Sequence, residues 1–387
     1  MKIPIARTSL TKDEINSVRV PLESGWLVQG PQVEKFENKW SKFTNSNHSI
    51  AVTSCTSALH LSLASMGFGP GDEAIVPALT WISTANVVEH LGGKVIFCDV
   101  QKDTFNIDVS EIESKISKKT KAILPVHLFG LSADMDPIMQ LAKKYKLSVV
   151  EDAACGFGSK YNGSHVGTIG DTGCFSFHPR KAITTGEGGM VTTNNFKLDR
   201  KIRRLRDHGA EISDLQRHHG PKPYLLADHP DAGYNQRMTD LQAALGSAQM
   251  DRANDIVRER QKIAKVYDDE FKDIEWIQTP QVDSGYEHSY QSYPCIFKPN
   301  EIKKNNINEI HKKRNKWMDK LQNIGISTRP ATHAVHMLSF YKKKYNIKKE
   351  DFFNAYLLNE CSISLPLFHG LKEEELDFIV STVKRSF

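Results

Sequence analysis

The sequence predicts an α/β protein with a mostly parallel central sheet. Through the first half of the chain, short apolar segments alternate with amphipathic helical stretches, a pattern typical of parallel strands joined by helices. The chain has 387 residues, of which 39% are hydrophobic and 25% charged, which is enough for two packed domains. We predict a large domain over residues 1–250 and a smaller C-terminal α/β domain over residues 251–387.

Short apolar runs mark the strands of the large domain, and longer amphipathic runs mark its helices. The predicted strands are Ser49–Thr53, Glu73–Pro77, Lys94–Asp99, Lys121–Val126, Ser148–Asp152, Gly173–His178 and Gly189–Thr193. The predicted helices between them are Ser57–Met66, Ile82–Leu91, Val109–Ile116 and Met135–Tyr145.

The character of the sequence changes after the seventh predicted strand. The run Thr239–Phe271 is long, charged and free of proline, and it predicts one helix that leads out of the large domain. A polar, turn-rich linker is predicted at Thr279–Tyr290. The smaller domain is predicted to contain a strand at Tyr293–Phe297 and helices at Ile307–Ile324 and Glu373–Lys384.

Composition argues against several classes of function. The net charge of +5 is spread along the chain without a basic stripe, so no nucleic-acid partner is expected. There is no apolar run of the roughly 20 residues that a membrane helix needs, and the N-terminus lacks the apolar run of a signal peptide. The six cysteines lack metal-site or disulfide spacing. We therefore expect a cytoplasmic protein with reduced thiols, no metal and no membrane partner.

A lysine follows the sixth predicted strand in a glycine-rich connection. Lys181 lies between the dipeptide His178-Pro179 and the turn Gly186-Glu187-Gly188-Gly189. Glycines allow the backbone to pass close to a cofactor, and a lysine amine can form a Schiff base with an aldehyde. The alternative is an ordinary surface charge in a loop.

An acidic pair ends the fifth predicted strand. Glu151 and Asp152 follow an apolar run and precede Ala153 and Ala154. A carboxylate at a strand end, with small residues beside it, can meet the ring nitrogen of a flat cofactor. The alternative is an acid that caps a following helix.

Small polar residues join the first predicted strand to its helix. In the stretch from Thr53 to Ser57, a helix N-terminus would present free N–H groups and a positive dipole end to a phosphate. Helix capping alone would also explain these residues. Ser176 can add a hydroxyl, and Trp81 can offer an aromatic face, although a lone tryptophan also suits a core.

Together and in this order, these segments resemble the DegT/DnrJ/EryC1/StrS sugar aminotransferases, within the fold-type I enzymes that depend on pyridoxal 5'-phosphate (PLP). The resemblance covers nearly the whole chain, and the lysine and Glu-Asp-Ala-Ala motifs are specific at this spacing. The segments that carry it are Ser24–Pro31, Gly71–Glu73, Glu151–Ala154, Gly173–Gly189, Gly233–Ala244 and Ser364–Leu367. The resemblance implies a homodimer whose active sites are shared between subunits.

The resemblance also implies a role for each candidate site residue. Lys181 would hold PLP as a Schiff base, Asp152 would meet the pyridinium nitrogen, and Trp81 would stack on the ring. The remaining cofactor contacts would be Thr56, Ser57 and Ser176 at the phosphate, Asn235 at the phosphate of the neighbouring subunit, and Cys155 beside the cofactor hydroxyl.

The implied activity is transfer of an amino group from L-glutamate to a keto sugar linked to a nucleotide, for surface polysaccharide or glycan biosynthesis. Relatives with histidine in place of the lysine are sugar dehydratases, so Lys181 favours transamination. A dehydratase and a non-catalytic regulator with this fold are the two alternatives. His178, Arg329 and His333 are candidate substrate contacts, and the loops 216–230 and 325–338 are expected to determine which sugar is accepted.

Overall fold

The computed structural model describes residues 1–212, Tyr224 and 226–386, and a seven-stranded sheet forms its centre. The strands are β1 (His48–Val52), β2 (Glu73–Pro77), β3 (Lys94–Cys98), β4 (Thr120–Ile123), β5 (Ser148–Asp152), β6 (Thr172–Ser176) and β7 (Gly189–Thr193). In space they lie in the order β1-β7-β6-β5-β4-β2-β3. Strands β6, β5, β4, β2 and β3 are parallel, whereas β7 runs antiparallel to both of its neighbours. The predicted α/β fold with a mostly parallel sheet is confirmed.

Helices surround the sheet and build the smaller C-terminal part. They are α1 (Lys12–Ser17), α2 (Arg19–Ser24), α3 (Pro31–Thr44), α4 (Cys55–Ser65), α5 (Ser83–His90), α6 (Val109–Lys115), α7 (Met135–Tyr145), α8 (Phe196–Arg206), α9 (Asp240–Gln249), α10 (Ala253–Phe271), α11 (Ile307–Asn323), α12 (Ser339–Tyr345), α13 (Phe353–Cys361) and α14 (Glu373–Lys384). Within the described part of the chain, no helix has the length and apolar character needed to span a bilayer.

Alternate residues of the strands pack on opposite faces of the sheet. Ile75 of β2 belongs to an apolar cluster with Ile112 of α6 and Ile138 of α7. Its neighbour Val76 belongs to a second cluster with Leu59 of α4. Because successive side chains of a strand point to opposite faces, these two clusters cover the two sides of the sheet, as expected for a mostly parallel sheet.

The prediction of one continuous helix over Thr239–Phe271 is wrong. A short 3-10 turn, Met250–Arg252, separates α9 from α10. Arg252 leaves the helical conformation, and its guanidinium donates to the carboxylate of Glu14 and to the carbonyl of Ser9. Anchoring of the N-terminal segment therefore interrupts a run whose sequence alone permits a helix.

The strand predicted at Gly173–His178 ends earlier, at Ser176. The carbonyl of Phe177 accepts hydrogen bonds from the Thr184 hydroxyl (2.8 Å) and from the Thr185 N–H (3.0 Å). These bonds turn the chain into the loop that carries Lys181. The predicted strands β2, β5 and β7 and the predicted helix α7 match the structure at both ends.

The C-terminal part contains a three-stranded antiparallel sheet in the order β8-β9-β10, made of β8 (Ile277–Gln278), β9 (Tyr293–Phe297) and β10 (Ser362–Leu365). The predicted linker Thr279–Tyr290 includes a short strand, Tyr286–Glu287, that pairs with Lys160–Tyr161. The domain division at residue 250 stays a prediction, and it falls at the break between α9 and α10.

The first residues of the chain connect distant parts of the fold. Ile3 exchanges backbone hydrogen bonds with Gly325 (2.7 Å) and Ser327 (2.9 Å) in the C-terminal part. The Thr8 hydroxyl donates to the carbonyl of Pro179 (3.1 Å), two residues before Lys181. The N-terminal segment thus contacts both the C-terminal part and the lysine loop.

A buried carboxylate on α9 caps helix α3 from a distance. Asp240 accepts hydrogen bonds from the N–H groups of Gly30 (2.8 Å), Gln32 (3.1 Å) and Val33 (3.0 Å). The residue before α3 is a glycine and supplies no capping side chain. The first N–H groups of a helix lack intrahelical acceptors, so Asp240 satisfies them and joins residues 24–31 to α9.

We predict that Asp240→Ala destabilises the protein by about 3 kcal/mol, because it leaves buried N–H donors without an acceptor. Urea denaturation measures the change in the free energy of unfolding. The control is Asp251→Ala, which removes an exposed carboxylate paired with Lys39 and should change stability by about 0.5 kcal/mol or less. Equal effects of the two variants would contradict the capping role.

Candidate active site

The carboxylate of Asp152 lies buried at the end of β5, with 4% of the residue exposed. One carboxylate oxygen accepts a hydrogen bond from the Thr84 hydroxyl (2.7 Å) and the other from the Ala154 N–H (3.1 Å). It forms no ion pair with any residue that the structure describes. Burial raises the pKa of Asp152 above its ordinary value, although both hydrogen bonds oppose this shift. The carboxylate is therefore suited to a cationic group that a ligand brings.

The neighbouring carboxylate, Glu151, is held in a different way. It accepts hydrogen bonds from His127 Nε2 (2.8 Å) and from the N–H groups of Gly167 (2.6 Å), Ile169 (2.8 Å) and Gly170 (2.6 Å). Burial acts to raise its pKa, but His127 and these N–H groups outweigh burial, so the pKa is lowered. Glu151 is thus an ionised anchor for the loop 167–170.

His127 is a site residue that the sequence did not reveal. Its Nδ1 accepts a hydrogen bond from the Ala133 N–H (3.1 Å), which leaves the proton on Nε2 to be donated to Glu151. The residue is fully buried. The signal that could have found it is its position shortly after the carboxyl end of β4. The other candidates also follow the carboxyl ends of strands in this sheet.

Hydroxyl groups surround the N-terminus of α4. Ser54 caps the helix by accepting from the Ser57 N–H (3.1 Å), and the Ser57 hydroxyl contacts Thr53 Oγ1 (2.8 Å). The Thr56 hydroxyl donates to Ser83 Oγ (2.9 Å). The helix begins at Cys55, two residues earlier than predicted, so Thr56 and Ser57 lie in its first turn. The N–H groups of such a turn are available to an anion.

Trp81 follows β2 in a loop and is 55% exposed, so the alternative of a core tryptophan is wrong. Its indole ring meets the imidazole of His333 edge to face, with the ring centroids 5.6 Å apart. The two residues meet because the segment His333–Ala334 pairs with Leu79–Thr80. The exposed indole can accept a flat ring against its face.

Lys181 lies half-buried in the loop after β6, and its Nζ is 3.1 Å from Cys155 Sγ. The loop is held by Thr8 and by Gln291, whose amide donates to the Arg180 carbonyl (3.1 Å). A cavity of about 10 Å³ is lined by Lys181, Cys155, Ser176, Gln291 and several buried aromatic rings. Lys181 is therefore not an ordinary surface charge.

The three candidate substrate contacts have different surroundings. His178 Nδ1 accepts from the Arg180 N–H (3.2 Å), and burial lowers the pKa of His178. Arg329 is exposed, and its backbone pairs with Ser364. Of the three, the structure places His333 against Trp81. Part of the predicted specificity loop 216–230 lies outside the described residues.

Asn235 is exposed and does not cap a helix. Thr239 caps α9 instead, with its hydroxyl accepting from the Gln242 N–H (3.3 Å) in a capping box. The residue before Asn235, Tyr234, packs against His60 of α4 with the ring centroids 4.8 Å apart. The Asn235 backbone is paired with Asp207, and its exposed side chain has no hydrogen bond to the residues that the structure describes.

Comparison with known proteins gives the family. Residues 8–384 match the DegT/DnrJ/EryC1/StrS aminotransferase family. The chain belongs to this family. It is similar to the GDP-perosamine synthase of Escherichia coli O157:H7, at 36% identity over 388 residues that cover 100% of this chain and 98% of the relative. It is also similar to a UDP-4-amino-4-deoxy-L-arabinose–oxoglutarate aminotransferase of Shewanella sediminis, at 33% identity with 98% and 97% of the two chains covered.

Solved structures agree with this assignment. A Streptococcus pneumoniae protein in its PLP form aligns with a TM-score of 0.90 and 29% identity, covering 100% of this chain and 98% of that chain. Its pyridoxamine phosphate (PMP) form aligns with a TM-score of 0.91 and 30% identity, covering 100% of this chain and 99% of that chain. The DegT/DnrJ/EryC1/StrS protein described here is a PLP-dependent sugar aminotransferase.

We predict that Asp152 makes the stability of the cofactor-free protein depend on pH. Because the folded-state pKa of Asp152 is raised, its favourable contribution is present below the ordinary aspartate pKa of about 3.9 and is lost as pH rises through the folded value. As the pH rises from about 3.9 through the folded-state pKa of Asp152, the wild type should therefore lose stability relative to Asp152→Asn.

Urea denaturation across a pH series measures this difference. Asp283→Asn, at an exposed position, is the control and should follow the wild type throughout. A wild-type curve that stays parallel to the Asp152→Asn curve would show that the burial of this carboxylate does not alter its protonation.

Proposed function

We propose that the enzyme transfers the amino group of L-glutamate to a keto sugar linked to a nucleotide, with PLP held covalently by Lys181. The observation that carries this proposal is the meeting of three groups at one edge of the sheet. These groups are the Lys181 amine, the buried Asp152 carboxylate and the N-terminus of α4. The charge of Lys181 acts on Asp152, and Cys55 of α4 lies 4.0 Å from the same carboxylate.

Asp152 fits the ring nitrogen of PLP. Its carboxylate is desolvated and has no described ion-pair partner, so a protonated pyridine nitrogen would supply the missing cation. Bound PLP supplies an electron sink for the carbanion that forms when the α-proton of the donor is removed. Asp152 keeps the ring nitrogen protonated, and Thr84 and Ala154 keep the carboxylate in place.

Lys181 is the proton carrier. With PLP bound, its Nζ would take up the proton of the donor α-carbon and hold it for the next proton transfer. The contacts of the lysine loop with Thr8 and Gln291 restrict where this amine can move. Because one amine serves both half-reactions, the kinetics should be of the ping-pong type.

The phosphate of PLP would lie at the first turn of α4. Thr56 offers its N–H group and Ser57 its hydroxyl there, and Ser176 adds a hydroxyl from the end of β6. Trp81 would cover one face of the ring, and Cys155 would lie beside its hydroxyl. Asn235 would reach the phosphate that the neighbouring subunit binds.

The names of two relatives support the proposed sugar substrate and the proposed amino donor. One of them makes GDP-perosamine, and the other uses oxoglutarate, the keto acid that L-glutamate becomes when it loses its amine. Arg329 and His333 are proposed contacts for the diphosphate, with His178 near the reacting sugar. His333 is beside the exposed face of Trp81, which places a polar group next to the ring-stacking position. The product would serve glycan biosynthesis.

An exposed apolar patch supports a homodimer. It consists of side chains on α1, on α2 and in the following loop, each 42–58% exposed: Ile15, Val20, Leu22, Leu27 and Val28. The carbonyl of Leu27 accepts a hydrogen bond from the N–H of Asp240, shortly after Asn235. A second copy that covers this patch would bring Asn235 to its neighbour's site. All six cysteines are free, which suits the proposed cytoplasmic location.

The proposal predicts turnover of at least one nucleotide-linked 3-keto or 4-keto sugar with L-glutamate. Lys181→Ala should lower the rate by at least about a hundredfold, because it removes the proton carrier. Lys197→Ala, an exposed lysine on α8, should leave the rate unchanged. The measurement is the yield of amino sugar by mass spectrometry. Full turnover by Lys181→Ala, or borohydride fixation of PLP at another lysine, would contradict the proposal.

The shared site predicts that two inactive variants complement each other. Lys181→Ala carries one lesion, and Asn235→Asp carries the other by placing a carboxylate against the phosphate. Each mixed dimer would then contain one intact site and one doubly altered site, so random mixing should restore about a quarter of wild-type activity. If subunits exchange and no activity returns, the active sites are not shared. Full activity of Asn235→Asp alone would exclude a role at the phosphate.

A further inference from the structure

The contact between Lys181 and Cys155 joins two nucleophiles, and the transamination proposed above uses only the lysine. Lys181 Nζ and Cys155 Sγ are 3.1 Å apart, and Cys155 is partly exposed. We propose that Cys155 is a peroxide-sensitive modification site whose oxidised sulfur forms a reversible covalent bond with the Lys181 amine. The dependence of this bond on the cofactor rests on the proposed function, since it assumes that Lys181 is the residue that holds PLP.

The other cysteines are less suited to this chemistry. Four of them, Cys98, Cys174, Cys295 and Cys361, are buried, and burial raises the pKa of each thiol. Cys55 lies near the site, but desolvation and the Asp152 carboxylate raise its pKa well above the ordinary value. Its Sγ contacts the carbonyl of Cys174 (3.4 Å). A thiol that stays protonated reacts slowly, because the thiolate is the nucleophile.

The cavity beside the pair has room for the oxygen that the reaction adds. Its volume of about 10 Å³ is close to the smallest that holds one water molecule. Trp40 also lines this cavity, is fully buried, and has an indole N–H without an acceptor among the described residues. That N–H can donate to an oxygen bound to Cys155 Sγ.

The proposed reaction has two steps, and peroxide is the oxidant. In the first step, the Cys155 thiol gives up its proton as its sulfur attacks one peroxide oxygen. An S–O bond forms, the O–O bond breaks, and the proton combines with the departing hydroxide. The sulfur is oxidised to a sulfenic acid, and the peroxide is reduced to water. In the second step, the neutral Lys181 amine attacks this sulfur, an N–S bond forms and the S–O bond breaks. An amine proton leaves with the hydroxide as a second water.

The net change is loss of one hydrogen from the thiol and one from the amine, with peroxide converted to two waters. One small thiol attacks the sulfur and breaks the N–S bond, which frees the Lys181 amine and leaves a mixed disulfide on Cys155. A second thiol breaks this disulfide and restores the Cys155 thiol. The Lys181 amine is free in the cofactor-free protein and in the form loaded with pyridoxamine phosphate. It is engaged in the PLP form, so bound PLP should protect the enzyme.

The experiment treats three preparations with hydrogen peroxide: the PLP form, the pyridoxamine phosphate form and the cofactor-free protein. Trypsin cuts after Lys160 and Arg180, which places Cys155 and Lys181 in different peptides. We expect these two peptides to be joined, with the loss of two hydrogen atoms, in the pyridoxamine phosphate and cofactor-free preparations. The link should be absent from the PLP form and should disappear after treatment with dithiothreitol.

Variants of the two cysteines near the site identify the sulfur atom that takes part in the link. Cys155→Ser and Cys155→Ala should each abolish it, whereas Cys55→Ser, at the other partly exposed thiol near the site, should retain it. A link that survives in both Cys155 variants would overturn the proposal. Oxidation of Cys155 to higher acids in the cofactor-free protein, without any link, would also overturn it and would leave the proposed function standing. A link formed equally in all three preparations would support the covalent bond and contradict the proposed role of Lys181 as the residue that holds PLP.

Discussion

The desolvated carboxylate of Asp152 is the constraint on which the arrangement of the site depends. A buried carboxylate that forms no ion pair with a described residue is costly, and under the proposed function the ring nitrogen of the cofactor would supply the missing partner. Thr84 and Ala154 hold the carboxylate from two different segments of the chain. A ligand that binds only the folded state stabilises it, so the cofactor should contribute to the stability of the protein as well as to its chemistry.

The two adjacent carboxylates at the end of β5 have different surroundings and different roles. Because neighbouring side chains of a strand point to opposite faces, Glu151 meets His127 and the loop 167–170, while Asp152 faces α4. Their pKa values move in opposite directions, lowered for Glu151 and raised for Asp152. Glu151 therefore fixes the position of the strand end, and Asp152 remains available for the cofactor contact proposed above.

The parts of the fold that depend on local pattern could be predicted from the sequence. The strand Ser148–Asp152 and the helix Met135–Tyr145 were predicted at both ends, because apolar periodicity and turn residues define them. The break at Met250–Arg252 could not be predicted, since it depends on a contact between Arg252 and Glu14, which is 238 residues away in the sequence.

The same division applies to the site. Residues carried by family motifs, such as Lys181 and Asp152, can be proposed from the sequence. Supporting residues, such as Thr84 and His127, cannot, because their partners are known only once the strands have been brought together.

The N-terminal segment has a consequence for the order in which the protein assembles. A ribosome makes Ile3 long before it makes the backbone partners of this residue, Gly325 and Ser327. Until then the N-terminal segment lacks these partners, and closing so long a loop is entropically costly. The tether from Thr8 to the lysine loop should therefore form late. A nascent chain would thus complete its sheet before it completes the support of its reactive amine.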